Sequence, residues 1–304
     1  MAGPPGGDTG VDGRTRAAVM TLRPSERLTG GTLAALLGLT LLVRPPAWPG
    51  LALAFAGMLL ALALLARVRS GPVGGLVRDF LPVGAVLGIF LLLQPLVAGT
   101  NGHRWDAALA GADARWLGAL GDRWRGAFGR PAAFTDLVYL AYASFYLLPL
   151  TVAILARRRL GPAGFEGFAF TLLVGFYLSF LGYFLWPAEG PRIPPALASA
   201  RLGGGALAEG VRAFLRVSER TTLDAFPSGH TALSLLAAAL ATRPFPRLAV
   251  LFWSWALTIV FATVYISVHY VVDVLAGALL APLALLLSAP LTRLLGGPRP
   301  GRAG

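Results

Sequence analysis

Few residues in this chain are suited to chemistry, and they fall into three polar clusters. Two of the three histidines open apolar runs: His230 in Phe226-Pro227-Ser228-Gly229-His230, and His269, which has Asp273 four residues on. The third cluster, Glu189-Gly190-Pro191-Arg192, closes an apolar run. Around His230, Pro227 punctuates a loop and Ser228 has the chemistry of a helix N-cap. The first N–H groups of a helix are unpaired and carry partial positive charge, which suits phosphate. Gly229 has no Cβ to keep an oxyanion off the backbone. A protonated His230 could then give its proton to a leaving oxygen. The same residues also fit an ordinary capped helix with an interfacial histidine.

His269 and Asp273, at i and i+4, share a helix face. A carboxylate there can hold one ring nitrogen as N–H and leave the other to attack. A hydrogen-bonded pair joining two helices is the plainer alternative. An aspartate within an apolar span needs a partner on either view. Arg192 could grip phosphate with paired N–H groups, or sit in a loop near lipid headgroups. Asp136, Tyr139, Tyr142 and Tyr146 form a further polar stripe, readable as a substrate groove or as packing. His230, His269 and Asp273 could also be arranged around a metal.

Whatever positions these residues lies in a membrane. The 304-residue chain is 56% hydrophobic and 13% charged, far too apolar for a soluble domain of this size. There is no cysteine, so thiol catalysis and disulfides are excluded. All 26 basic residues are arginine, so a Schiff-base or phosphate-loop lysine is excluded too. The net charge of +12 sits largely in short loops between apolar runs, a pattern of topology signals and anionic headgroups rather than nucleic acid.

Apolar runs at 28–43, 50–66, 79–98, 131–156, 165–186, 229–242, 247–265 and 269–290 predict an all-α polytopic bundle of about eight transmembrane helices. The first and sixth are short for about 30 Å of hydrocarbon. The first could be re-entrant, leaving seven. Residues 1–27 read as a disordered tail, 28–78 as two N-terminal spans added to a core at 79–290, and 291–304 as a second tail. With eight spans both termini share a side, and the arginine-rich short loops put that side in the cytoplasm of a plasma-membrane protein. Loops 99–130 and 187–228, and all three polar clusters, then face outward. Within 99–130, Trp105, Leu109, Trp116, Leu117, Leu120, Trp124 and Phe128 recur at helical spacing, predicting an amphipathic helix in the outer interface.

The segments Phe226-Pro227-Ser228-Gly229-His230 and Tyr265-Ile266-Ser267-Val268-His269-Tyr270-Val271-Val272-Asp273 resemble the type-2 phosphatidic acid phosphatase superfamily over roughly residues 79–290. The resemblance implies a six-helix core, a nucleophilic His269 forming a phosphohistidine, Asp273 orienting it, and His230 as acid. Ser228 and Gly229 would bind phosphate oxygens, without a metal. The family's third motif usually carries an arginine six residues before the nucleophile, where this chain has Thr263. Its first motif usually has a lysine and then Arg-Pro, where this chain has Gly190-Pro191-Arg192. Both departures look like the branch of inositol phosphorylceramide synthases and their bacterial relatives. Arg192 is then the main charge clamp, and loops 99–130 and 201–220 are where a helper arginine could lie. The function implied is a metal-independent lipid phosphatase or inositolphosphotransferase-like enzyme, with a lipid phosphate as substrate and the membrane as partner. No nucleic acid is involved, and the oligomeric state is open. The rivals are a phospholipid-binding or lipid-translocating protein that does not cleave, and a structural membrane subunit.

Overall fold

The computed structural model describes residues 22–67, 71–118, 120–129, 131–192, 202–218 and 222–297. Among them the only regular structure is helical, and the all-α polytopic bundle predicted from the apolar runs is what forms. The helices are α1 (Pro24–Val43), α2 (Trp48–Leu65), α3 (Pro72–Thr100), α4 (Asp106–Leu117), α5 (Leu120–Phe128), α6 (Ala132–Ala143), α7 (Leu147–Leu185), α8 (Ala206–Ser218), α9 (Gly229–Thr242), α10 (Ala249–Tyr265) and α11 (Val271–Leu294). Proline stands in the first turn of α1, α2 and α3, where its missing N–H takes nothing from the helix.

Six helical runs are long and apolar enough to cross a membrane, two fewer than the eight expected. The difference has two sources. The run from Ala132 to Leu185 is continuous but broken at Gly161, whose φ of 67° and ψ of −178° are non-helical, so it holds two arms. The sixth apolar run is α9, with only 14 residues, or about 21 Å. The first run, suspected of being re-entrant, is a 20-residue helix.

Three boundaries also move. Helix α1 begins inside the expected 1–27 tail, because Glu26 accepts a bond from the Arg23 backbone N–H at 2.8 Å and fixes the first turn. The rest of that tail, residues 1–21, lies outside the described residues. Helix α3 starts at Pro72, so most of the stretch between the apolar runs at 50–66 and 79–98 is helical. The single helix expected in 99–130 is two, α4 and α5, because Gly118 adopts a left-handed conformation between them (φ 58°). Helix α8 was not anticipated. Its Ala208, Val211 and Leu215 are buried against α6.

Helix α9 is the hub, packed by α7, α10 and α11. Its Ala232, Ala237, Ala238 and Ala241 are fully buried, and such small side chains let helix backbones approach closely. Leu233 and Leu236 fill the remaining space with Leu148, Phe165, Phe252 and Ile259. Helices α1 and α3 lie against α7, with α2 packed on α1 and α3, and Leu33, Phe55, Ile89, Leu93, Leu173 and Phe180 form their shared core.

The two ends of the bundle differ. At one end, Arg27 donates to the carbonyl of Leu295 just past α11, at 2.7 Å, so α1 starts where α11 finishes. Beside them lies a buried ionic network. Arg78 grips both oxygens of Glu26 at 2.7 Å. Arg23 and Arg157 share Asp79. Ser25 donates its N–H and hydroxyl to Glu166 at 2.8 and 2.9 Å. At the other end sit the start of α9, the start of α11 and the end of α7.

Candidate active site

The turn between α10 and α11 shapes the first half of the site. The N–H groups of Val268 and His269 both reach back to the carbonyl of Thr263, at 3.0 and 3.2 Å, and Ser267 takes a left-handed φ of 59° to allow it. Tyr270 precedes the helix in extended conformation, and its N–H donates to Asp273 Oδ2 at 2.8 Å. The same oxygen lies 3.6 Å from His269 Nδ1. One carboxylate therefore fixes the helix start and faces the imidazole at once. Asp273 is wholly buried and His269 nearly so.

The second half is the start of α9. Ser228 is the N-cap, as its sequence position predicted: its Oγ accepts from Thr231 N at 3.3 Å and from the Thr231 hydroxyl at 3.1 Å. Its backbone N–H donates to the Asp273 carbonyl at 3.0 Å, tying the two helix starts together. Gly277 on α11 permits this approach, since a Cβ there would collide with the Ser228 carbonyl. The result brings His269 Nε2 to 3.4 Å from His230 Nδ1. Tyr142 stacks on His230 with centroids 4.6 Å apart, and Phe145 packs at 4.3 Å. Gly229 has a packing duty beyond the one expected of it, because the space a Cβ would take holds the Tyr183 hydroxyl.

The third cluster joins at the same end. The N–H groups of Glu189 and Gly190 both donate to Asp106 Oδ1 at 2.9 Å, and Ala225 N donates to the Ala188 carbonyl at 3.0 Å. Arg192 Nη2 pairs with Asp224 Oδ1 at 2.5 Å. Asp224 in turn lines the cavity that His230 faces. Glu189 is exposed.

The stripe along α6 and the 3-10 turn after it, Ser144–Tyr146, divides. Tyr142 and Tyr146 reach the His230 side. Tyr139 lies under the Arg212 guanidinium, 4.7 Å from its ring centre, and Asp136 caps α8 by accepting from Gly205 N and Ala208 N at 2.7 and 2.9 Å. These two hold the outer helix in place. His103 is exposed and packs edge-on against Trp105.

Two cavities flank the histidine pair. One, of about 380 Å³, is almost entirely apolar and runs from His230 and Gly229 past Tyr146 and Phe176 to Phe80 between α3 and α7. The other, of about 230 Å³, is mixed in character: His269, Ser267, Tyr270, Asp113, Asp122 and Arg125 line it together with Ala110, Ala114, Pro191, Val264 and Val271. Burial first, then the carboxylates of Asp106, Asp273 and Asp113, push the Tyr270 phenol up, keeping it a neutral hydrogen-bond donor. Arg125 is the residue that sequence reasoning could not single out. Thr263, where the resemblance leads one to look for arginine, is buried, and its hydroxyl bonds Val260 O at 2.8 Å. Beside it, Arg125 from α5 donates to the carbonyls of Val264 and Tyr265, both at 3.1 Å. The set His230, His269 and Asp273 does not converge on a point: His230 and Asp273 meet opposite nitrogens of the His269 ring. Among the described residues no group of three histidines or carboxylates is placed to hold a metal ion.

A family model described as the PAP2 superfamily matches residues 108–287, a span holding all three polar clusters. Neither a curated protein nor a solved structure matches the chain.

Proposed function

The chain belongs to the PAP2 superfamily, and on that premise we propose that it is an integral membrane phosphoesterase or phosphotransferase acting on a lipid phosphate through a phosphohistidine. Members of the superfamily are generally phosphatases or phosphotransferases. The observation that carries the finer reading is the 3.4 Å approach of His269 Nε2 to His230 Nδ1, with Asp273 against the other nitrogen of His269.

His269 Nε2 attacks phosphorus and forms an N–P bond as the P–O bond to the lipid alcohol breaks. Asp273 stabilises the positive charge that grows on the ring. His230 gives its proton to the leaving oxygen. It then takes a proton from water or an alcohol, whose oxygen attacks phosphorus and breaks the N–P bond. Ser228 and Gly229, at the positive end of α9, and Arg192 hold the phosphoryl oxygens. A guanidinium has five N–H donors, enough to serve Asp224 and phosphate together. None of these steps needs a metal. Thr263 and the Gly190-Pro191-Arg192 order support the inositol phosphorylceramide synthase-like branch, in which a phospho-headgroup moves to an alcohol. The arginine-rich loops at the end where α1 starts and α11 finishes support a site on the outer face of the plasma membrane.

The test is turnover of lipid phosphates by the purified protein in detergent, with vanadate as a mimic of the pentacoordinate intermediate. His269→Ala should lower the rate by about 10³-fold or more. Wild-type rates in that variant would remove the covalent step. Phosphate-lipid binding with no turnover of any substrate would favour a carrier instead.

A further inference from the structure

One hydroxyl at the start of α9 takes no part in the steps just described. Tyr183 on α7 is 4% exposed, its ring set in the core with Leu223 and with Phe180, whose centroid is 6.0 Å away. A Cβ built on Gly229 would collide with the Tyr183 oxygen, whereas the ring carbon that bears this oxygen would lie 3.8 Å away, an ordinary contact. The hydroxyl alone therefore demands a glycine here, directly before His230. One residue back along α7, a Cβ on Gly182 would collide with the Pro227 ring. This turn of α7 is thus pressed against Pro227-Ser228-Gly229, and the phenol has little freedom to swing. The same ring lines the apolar cavity with Gly229, His230 and Asp224, so its oxygen stands where that cavity meets the helix start.

A phosphoryl group at this helix start needs donors, and Ser228 has few left. Its backbone N–H goes to the Asp273 carbonyl at 3.0 Å, and its Oγ already accepts twice from Thr231. The next N–H groups, those of Gly229 and His230, head the helix and carry partial positive charge. In phosphoryl transfer the charge spreads over three equatorial oxygens, and a fixed donor aimed at one of them counts most in the transition state. A phenol O–H beside Gly229 is such a donor. A phenylalanine would fill the same core without requiring glycine opposite.

We propose that the Tyr183 hydroxyl donates to an equatorial oxygen of the reacting phosphoryl group, alongside the first N–H groups of α9, and so is a further catalytic residue. The inference rests on the phosphoryl-transfer reading above. The phenol keeps its proton throughout. The N–P bond forms at His269, the leaving oxygen takes its proton from His230, and no bond to Tyr183 forms or breaks.

The experiment uses the full chain in detergent micelles with phosphatidic acid or phosphatidylinositol, and reads turnover, inhibition by vanadate and melting temperature for each variant. Tyr183→Phe should lower kcat about 10²-fold and weaken vanadate inhibition at least about tenfold, with KM within about threefold of wild type. Tyr177→Phe is the control: it removes from the same helix a hydroxyl that donates to Thr29 Oγ1 at 3.0 Å, and should leave kcat and vanadate inhibition as they are. Gly229→Ala should lower the melting temperature of wild type and leave it unchanged in the Tyr183→Phe background, where the methyl has room. A Tyr183→Phe enzyme with kcat within about threefold of wild type, or with unaltered vanadate inhibition, would overturn the inference. So would equal losses in Tyr177→Phe, or a Gly229→Ala protein that melts like wild type. If His269→Ala is inactive in the same assay, the phosphohistidine reading survives any of those results. A wild-type protein that turns over neither lipid and binds no vanadate would end both.

Discussion

Asp273→Asn removes a charge and almost no volume, and the geometry at Asp273 sets what the change can do. One oxygen serves two partners, accepting from Tyr270 N at 2.8 Å and facing His269 Nδ1 at 3.6 Å. Suppose the asparagine carbonyl takes that place. The helix start and the ring tautomer are both kept, and stability should change by no more than about 1 kcal/mol. The positive charge growing on His269 then loses its counter-charge. At 3.6 Å and an effective dielectric constant of about 20, that attraction is worth about 4–5 kcal/mol. A loss of that size is about 10³-fold in rate. If the amide NH₂ takes the place instead, the Tyr270 bond is lost and the ring is forced toward the wrong tautomer, so the rate falls at least as far. The assay is kcat on a lipid phosphate at saturating substrate, alongside the thermal midpoint of the same preparation. A fall of less than about tenfold would refute the counter-charge argument. So would a fall that merely tracks a large drop in melting temperature, because Asp273 would then be holding helices and nothing more.

Three further outcomes follow from the same geometry. His230→Gln should slow alkyl phosphates by about 10²–10⁴-fold, and an aryl phosphate with a good leaving group by less than about tenfold, because only the alkoxide needs a proton; equal losses would show that His230 is not the acid. Gly277→Val should lower stability by about 1–3 kcal/mol, seen as a lower melting temperature, since the new side chain meets the Ser228 carbonyl and Thr231; an unshifted midpoint contradicts the close α9–α11 contact. Asp106→Ala removes the acceptor for the N–H groups of Glu189 and Gly190. It should loosen the loop carrying Arg192 and raise KM about tenfold with kcat nearly unchanged, as one charged acceptor's loss suggests; a fall in kcat without a change in KM would place Asp106 elsewhere in the cycle.

What could be read from the residues alone was what depends on local chemistry and on alternation of sides. Ser228 as an N-cap is local, and it forms as predicted. The meeting of His230 and His269, 39 positions apart, came from counting crossings: the polar clusters at the end of the fifth run and the starts of the sixth and eighth fell on the same side. The span count itself was less legible. The Gly161-Pro162 pair signalled a break but not whether the helix would stop or bend, and 14 residues of α9 stay helical because neighbours bury them on every side. Helix α8 carried a signal in Leu207, Val211 and Leu215, masked by the glycines at 203–205 just before it. Arg125 carried none, because its place depends on α5 docking beside the end of α10. Asp136 and Tyr139 looked like groove residues because a stripe on one helix face says nothing about which neighbour covers each turn; α8 covers theirs.

The ionic knot at the far end of the bundle bears on how this protein can be trimmed. The family match begins at residue 108, which invites a shortened version lacking the first three helices. Such a truncation would take away Ser25, Glu26, Arg78 and Asp79, and strand Glu166 and Arg157 without the partners they hold across the interface. Hydrogen bonds to charged groups contribute about 1.5–3 kcal/mol each, and the α7 face bearing Leu173 and Phe180 would be stripped bare as well. The opening helices therefore act as a keel for α7, and α7 carries the Trp186–Arg192 loop to the histidines.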